Sequence, residues 1–176
     1  IDKNGNVTLN GEDNIKYEGY YSTKLDAKTT EFIFNKFKKA DPLNLLDNYI
    51  SSFTDQQAIS TTFIEDGKIV KTIYDYGMLG TNELIWAYIP ISHLTETNSF
   101  EKVSSEVILT VPLFESFKKD SVELTLEKSE SFYLWTELIK AKQIEITAIS
   151  NLKLDIELNI LLLPILIDDK TFNSTI

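Results

Sequence analysis

The pattern of apolar, β-branched and polar positions gives its clearest hairpin between Ala58 and Tyr76, where two runs of strand-forming residues, Ala58 to Ile64 and Lys68 to Tyr76, flank Asp66-Gly67. A short turn of that kind needs positive φ, which glycine adopts without steric cost, so the stretch predicts a β-hairpin. A second hairpin is expected over Ile1 to Gly11, as a strand stub, an Asn4-Gly5 turn and a returning strand with Val7 and Leu9 on one face. Ile15 to Leu25 continues the sheet. Asp26 then caps a helix running to about Ala40, with Ile33, Phe34, Phe37 and Ala40 as an apolar stripe. Asp41-Pro42 ends it, because a residue before proline is pushed out of the α region. An irregular stretch leads from there to Phe53.

Thr81-Asn82-Glu83 caps a further helix carrying Leu84, Tyr88, Ile91 and Leu94, which Pro90 should kink or end near Ile89. Thr95 to Ser99 reads as a linker. Beyond it, Val103 to Phe114 and Val122 to Leu126 are expected strands, and Ser129 caps a helix with Phe132, Trp135, Leu138 and Ile139 on one side. Gln143 to Ile149 is another strand. Leu152 to Ile160 alternates as a strand with one buried and one wet face, whereas Ile160 to Ile167 is apolar on both faces, with Pro164 implying an edge or a bulge. The fold class is therefore α+β, a mostly antiparallel sheet with about three helices packed on one face; an enclosed, barrel-like sheet is the alternative. The junctions Leu25-Asp-Ala-Lys and Leu126-Glu-Lys-Ser each lead into an aromatic helix. That pattern suggests two similar strand-helix-strand units, residues 1–97 and 98–176, sharing one compact domain.

Asp47-x-Tyr49, Thr54-Asp55, Asp66-Gly67-Lys68, Lys71 and Tyr74-Asp75-Tyr76-Gly77 resemble a bacterial family, domain of unknown function 6438. The likeness extends upstream through Asn4-Gly5, Val7, Gly11, Phe37 and Asp41 and downstream to Leu84, covering roughly the first half of the chain. Members of that family open with a cysteine-containing segment before the strand that leads into the Asn-Gly turn, and many carry secretion or lipoprotein signals. The resemblance implies a protein of the bacterial cell envelope, periplasmic or an outer-membrane lipoprotein, whose natural start lies upstream of Ile1 and brings any lipid anchor with it.

Charge narrows the choice of partners. Acidic residues outnumber basic ones 27 to 17, for a net charge of −10, which argues against nucleic acid. Every basic residue is lysine, so the bidentate fork that arginine offers to phosphates and carboxylates is absent. No cysteine is present, which excludes disulfides and thiolate chemistry in these residues, and no apolar run reaches the roughly 18 residues of a membrane-spanning helix.

Little of the sequence points to catalysis. Asp2-Lys-Asn4-Gly-Asn6, with Asp13 further on, begins like a calcium loop, but Val7 stands where such a loop needs glycine and the flanks are strand-like, so no calcium is expected. His93 is the single histidine and reads as a surface or packing residue. No glycine-rich phosphate loop, GxSxG elbow or metal-ligand set appears, and no cofactor is expected. Tyr49, Asp55, Asp75 and Tyr76 are the ligand-binding candidates, since they bracket one hairpin within the family-like motif; Asp47 and Asp55 in turns would more ordinarily bond backbone amides. The leading expectation is a non-enzymatic module that binds a protein or cell-surface ligand through exposed strand edges or tyrosines. Two others come from different classes: a hydrolase using Asp55 and Asp75 with Tyr49 or Tyr76, and an acidic inhibitor or immunity-type protein.

Overall fold

The computed structural model describes residues 1–11, 16–103, 113–119, 121–138, 157–161, 165–167 and 170–172. The chain divides into two compact units, Ile1–Ser105 and Glu106–Ile176. Its class is α+β.

In the first unit, strand β1 (Asn6–Gly11) pairs antiparallel with β2 (Gly19–Lys24), placing Val7 opposite Thr23 and Leu9 opposite Tyr21. The expected strand stub at Ile1 is a turn instead. Asp2 accounts for the difference, because its carboxylate accepts the Asn4 and Asn6 amides at 2.9 Å and the Asn6 side-chain amide at 2.6 Å, winding the chain back on itself. This acceptor role also uses the oxygens that a calcium loop would have offered to the ion. Gly5 follows at φ 81°, where a Cβ would lie 2.5 Å from Thr30 Oγ1 and 2.8 Å from the Leu25 carbonyl. Only glycine lets the turn lie against the start of the first helix.

Desolvation by partial burial raises the Asp2 carboxyl, but the hydrogen bonds from Asn6 and Asn4 and the charge of Lys24 outweigh it and hold the group below its ordinary value of 3.8. A carboxyl that titrates lower in the folded chain contributes stability that is complete above 3.8 and is lost as pH falls through the lower folded value. The melting temperature of Asp2→Asn is accordingly expected to fall less than that of the parent between about pH 5 and pH 2.

Helix α1 (Ala27–Ala40) starts at Asp26, whose side chain accepts the Thr29 amide at 2.8 Å. It stops at Asp41, which the following proline keeps out of the right-handed region and which adopts φ 51°, ψ 57°. A 3-10 turn over Pro42–Asn44 leads to β3 (Asn48–Ile50), in the stretch expected to be irregular. The hairpin forms as expected: β4 (Ala58–Glu65) and β5 (Lys68–Tyr76) are joined by Asp66 at φ 49° and Gly67 at φ 74°, positive at both central positions as a type I′ turn requires. β3 adds to β5 in parallel, so the sheet β3-β5-β4 is mixed. Among the described residues both sheets of this unit are three-stranded and open rather than an enclosed barrel.

Helix α2 (Asn82–Ser92) is capped by Thr81 and runs through Pro90 instead of ending at Ile89. Proline falls in the last turn, and the carbonyl it leaves unbonded belongs to Trp86, an exposed residue whose backbone water can serve. Thr95–Ser99, expected as a linker, begins inside a single turn, α3 (Leu94–Thr97), held down by buried Leu94. β6 (Glu101–Lys102) then joins the far side of β2 to complete the sheet β1-β2-β6.

Two adjoining cores share α1. Val7, Leu25, Ile33, Leu94 and Phe100 form one, roofed by Tyr17 and Tyr21 at ring distances of 5.1 and 5.2 Å along Tyr21–Tyr17–Phe100. Ala40, Ile73, Leu84 and Tyr88 form the other, with Tyr49, Ile59 and Phe63 packed against it. Phe37 meets Phe63 at 5.7 Å and Tyr88 at 6.2 Å, so α1 and α2 cover one face of β3-β5-β4.

The second unit contains β7 (Leu113–Lys119), with β8 (Val122–Thr125) and β9 (Glu157–Leu161) antiparallel on either side, helix α4 (Lys128–Leu138), and a hairpin of β10 (Ile165–Ile167) and β11 (Lys170–Phe172). α4 begins at Lys128, which puts Ser129 inside the helix rather than at its cap. β2, before α1, pairs with β1 and β6, and β8, before α4, pairs with β7 among the described residues. The strand expected at 143–149, Pro164 and the first part of the strand expected from Val103 lie outside the described residues.

Candidate functional site

Strand alternation splits the four candidate residues between two faces of β3-β5-β4. Tyr49 and Asp75 are register partners on the face that the helices cover, and Tyr76 pairs with Ile50 on the opposite face. Asp55 sits exposed in the loop between β3 and β4, at φ 61°. The structure thus brings Tyr49 to Asp75 and places Asp55 near the Tyr76 end of the sheet, where the Gln56 amide donates to the Tyr76 hydroxyl at 3.2 Å.

Each motif residue on the covered face has a backbone partner. Asp75 is fully buried, and its two oxygens accept the amides of Leu79 at 2.8 Å and Gly80 at 3.1 Å, fixing the loop from β5 into α2. Gly80 is needed there, since a Cβ would come within 2.9 Å of both Asp75 Oδ2 and Leu84 Cδ2. The Tyr49 hydroxyl accepts the Leu46 amide at 3.3 Å. Lys71 donates to the Leu45 carbonyl at 2.7 Å and pairs with Asp47, while the Tyr74 amide donates to the Asp47 carbonyl at 2.8 Å. Asp47, Tyr49 and Lys71 together lash the short parallel strand to β5. His93 lies on the surface, its Nδ1 2.7 Å from Glu96 Oε2. Among the described residues, no three histidine or acidic side chains stand close enough to hold a metal ion.

Tyr88 closes the inner side of this cluster. Burial pushes its hydroxyl up to about 12, with the nearby Asp75 and Tyr49 adding to the effect, and Thr61 stands beside it without reaching hydrogen-bonding geometry. A buried hydroxyl without a partner is a net cost, so Tyr88→Phe is expected to raise the stability by about 1 kcal/mol, read as a higher urea midpoint.

The other face of the sheet has a different chemistry. Along the central strand it presents Thr72, Tyr74 and Tyr76, with Ser60 and Thr62 across on β4 and Ile50 on β3. Thr62 and Thr72 are joined by a 3.0 Å hydroxyl bond. No charged residue stands on this face between Ala58 and Phe63 or between Lys71 and Tyr76, in a chain of which a quarter is charged. Ile50 is 67% exposed and Phe53, in the loop beyond it, 73% exposed, so apolar area continues past the strand end. Asn48 and Ile50 also turn their backbone groups outward, because Asp47 and Ser51 bond to β5 and alternation sends the intervening groups the other way. Of the remaining tyrosines in this half, Tyr17 and Tyr21 are consumed by the first core. Tyr74 and Tyr76 were both legible as motif tyrosines, with Tyr76 singled out, but Thr72, Ile50 and Phe53 were not; counting by twos along Lys68–Tyr76 separates Tyr74 and Tyr76 from Asp75.

A family model described as Domain of unknown function (DUF6438) matches residues 1–95. No curated protein and no solved structure matches the chain.

Proposed function

The chain belongs to the family described as Domain of unknown function (DUF6438), and we propose that its first unit is a non-enzymatic binding module of the bacterial envelope that takes an uncharged cell-surface glycan on the open face of β3-β5-β4. The observation that carries this reading is the uncharged row of Thr72, Tyr74 and Tyr76, flanked by serine and threonine hydroxyls and extended by exposed Ile50 and Phe53. Flat aromatic area with polar tips suits the apolar ring faces and hydroxyl edges of a sugar polymer, and a face without charge does not oppose desolvation. Occupation of both Asp75 oxygens by buried amides supports binding over carboxylate catalysis. Envelope placement follows the resemblance to family members that carry export signals, and cell fractionation tests it.

Affinity electrophoresis through gels containing neutral soluble polysaccharides tests the binding. The parent should be retarded in at least one, Tyr74→Ala should lose about tenfold in affinity, and Ile50→Lys, an exposed position where charge costs the fold little, should weaken it too. Equal mobility of all three proteins in every polysaccharide sinks the proposal.

A further inference from the structure

Helix α1 carries a second surface of opposite character, independent of the glycan reading. Its inner side is Thr30, Ile33, Phe37 and Ala40. The remainder holds Lys28, Lys36, Lys38 and Lys39 against the single acid Glu31, so four lysines of a chain with net charge −10 gather on one helix. Phe32 is 52% exposed and Phe34 43% exposed on that helix, and the Lys36 ammonium lies 5.4 Å over the Phe32 ring. Lys28, Phe32 and Lys36 follow at four-residue spacing and Lys39 lies seven residues after Phe32, which puts them on one side of the helix.

Lone exposed apolar residues need no explanation, but Phe32 set among Lys28, Lys36 and Lys39 on one side of the helix joins apolar area to positive charge as a membrane interface requires, whereas Phe34, two residues on, lies on the other flank. We propose that this face of α1 docks on an anionic phospholipid surface, the lysines meeting headgroup phosphates and Phe32 entering the acyl boundary. Charge complementarity favours a membrane over a flexible polyanion: a plane touches the protein through one face, whereas a wrapping polymer meets the surplus of acids elsewhere. Lysine without arginine also suits headgroup attraction better than bidentate readout. Because α1 packs through Phe37 on Phe63, its outward side points away from the sheet face that bears Tyr74 and Tyr76. A membrane-docked unit thus keeps the tyrosine face turned outward.

Flotation of the full chain with vesicles tests this, using phosphatidylcholine alone and phosphatidylcholine containing phosphatidylglycerol, with dextran sulfate binding measured alongside. The chain should float only with the anionic vesicles and less so as salt rises; Lys38→Gln/Lys39→Gln should lower partitioning by roughly tenfold or more, and Phe32→Ser by several-fold, with melting temperatures near the parent's. Equal flotation with both vesicle types, no flotation with either, unchanged partitioning of the variants, or capture by dextran sulfate without vesicle binding would each overturn the proposal.

Discussion

Asp75→Ala is expected to cost about 3 kcal/mol or more, seen as a large fall in the urea midpoint with little change in slope. The side chain is fully buried and satisfies two backbone amides, those of Leu79 and Gly80, at the point where β5 turns into α2. Alanine leaves both donors in a site that water does not reach, and each unsatisfied buried group costs about 1–3 kcal/mol. Asp75→Asn should fall between parent and alanine, because the amide keeps one acceptor and turns a donor toward the other N–H. This ordering separates the two readings of the residue. A carboxylate kept for catalysis is typically replaced by its amide with little loss of stability, so an Asp75→Asn chain as stable as the parent would reopen the hydrolase reading.

The same residue shows what the sequence could and could not reveal. The hairpin and α1 were legible because their signals are local: Asp66-Gly67 sets the turn dihedrals, and Asp26 and Asp41-Pro42 bound the helix. β3 was not, since three residues are too few to show alternation and its parallel pairing depends on Lys71 reaching over to Leu45 and Asp47 from 24 or more residues away. β6 is shorter still and exists through its pairing with β2. The polar motif around the hairpin was visible, but its meaning was not. Nothing local distinguishes an aspartate that binds a ligand from one that caps a loop; the decision lies with the Leu79 and Gly80 amides, which only the tertiary fold brings to Asp75. Tyr76 belongs to the open face and Asp75 to the covered one because neighbours in a strand point opposite ways, so grouping the two as one site conflicted with the geometry of the element that carries them.

Gly77→Ala is the second large effect, and it bears on both faces at once. Gly77 has φ 95°, a conformation that side-chain-bearing residues rarely adopt, and a Cβ there would lie 2.7 Å from Ser51 Cβ. Neither segment can simply step aside: the Ser51 amide is bonded to the Tyr76 carbonyl and the Gly77 amide to the Gln57 carbonyl, each at 2.9 Å. Backbone strain of about 1–3 kcal/mol plus the steric overlap should bring the loss to about 2–4 kcal/mol. The overlap is testable by itself. Ser51→Gly removes the opposing Cβ, so Ser51→Gly/Gly77→Ala should recover the steric share and leave the strain, giving a coupling energy of about 1 kcal/mol or more in the cycle. Strict additivity would mean instead that the 51–57 loop moves away from β5. In that case the Gln56 bond to Tyr76 is lost with it, and Phe53 and Tyr76 no longer share one surface. Glycan affinity of the double variant then reads the same event from the other side: retention with recovered stability places the glycine's role in packing β3 to β5, whereas loss of affinity at parent-like stability makes this loop the part of the tyrosine face that the ligand grips.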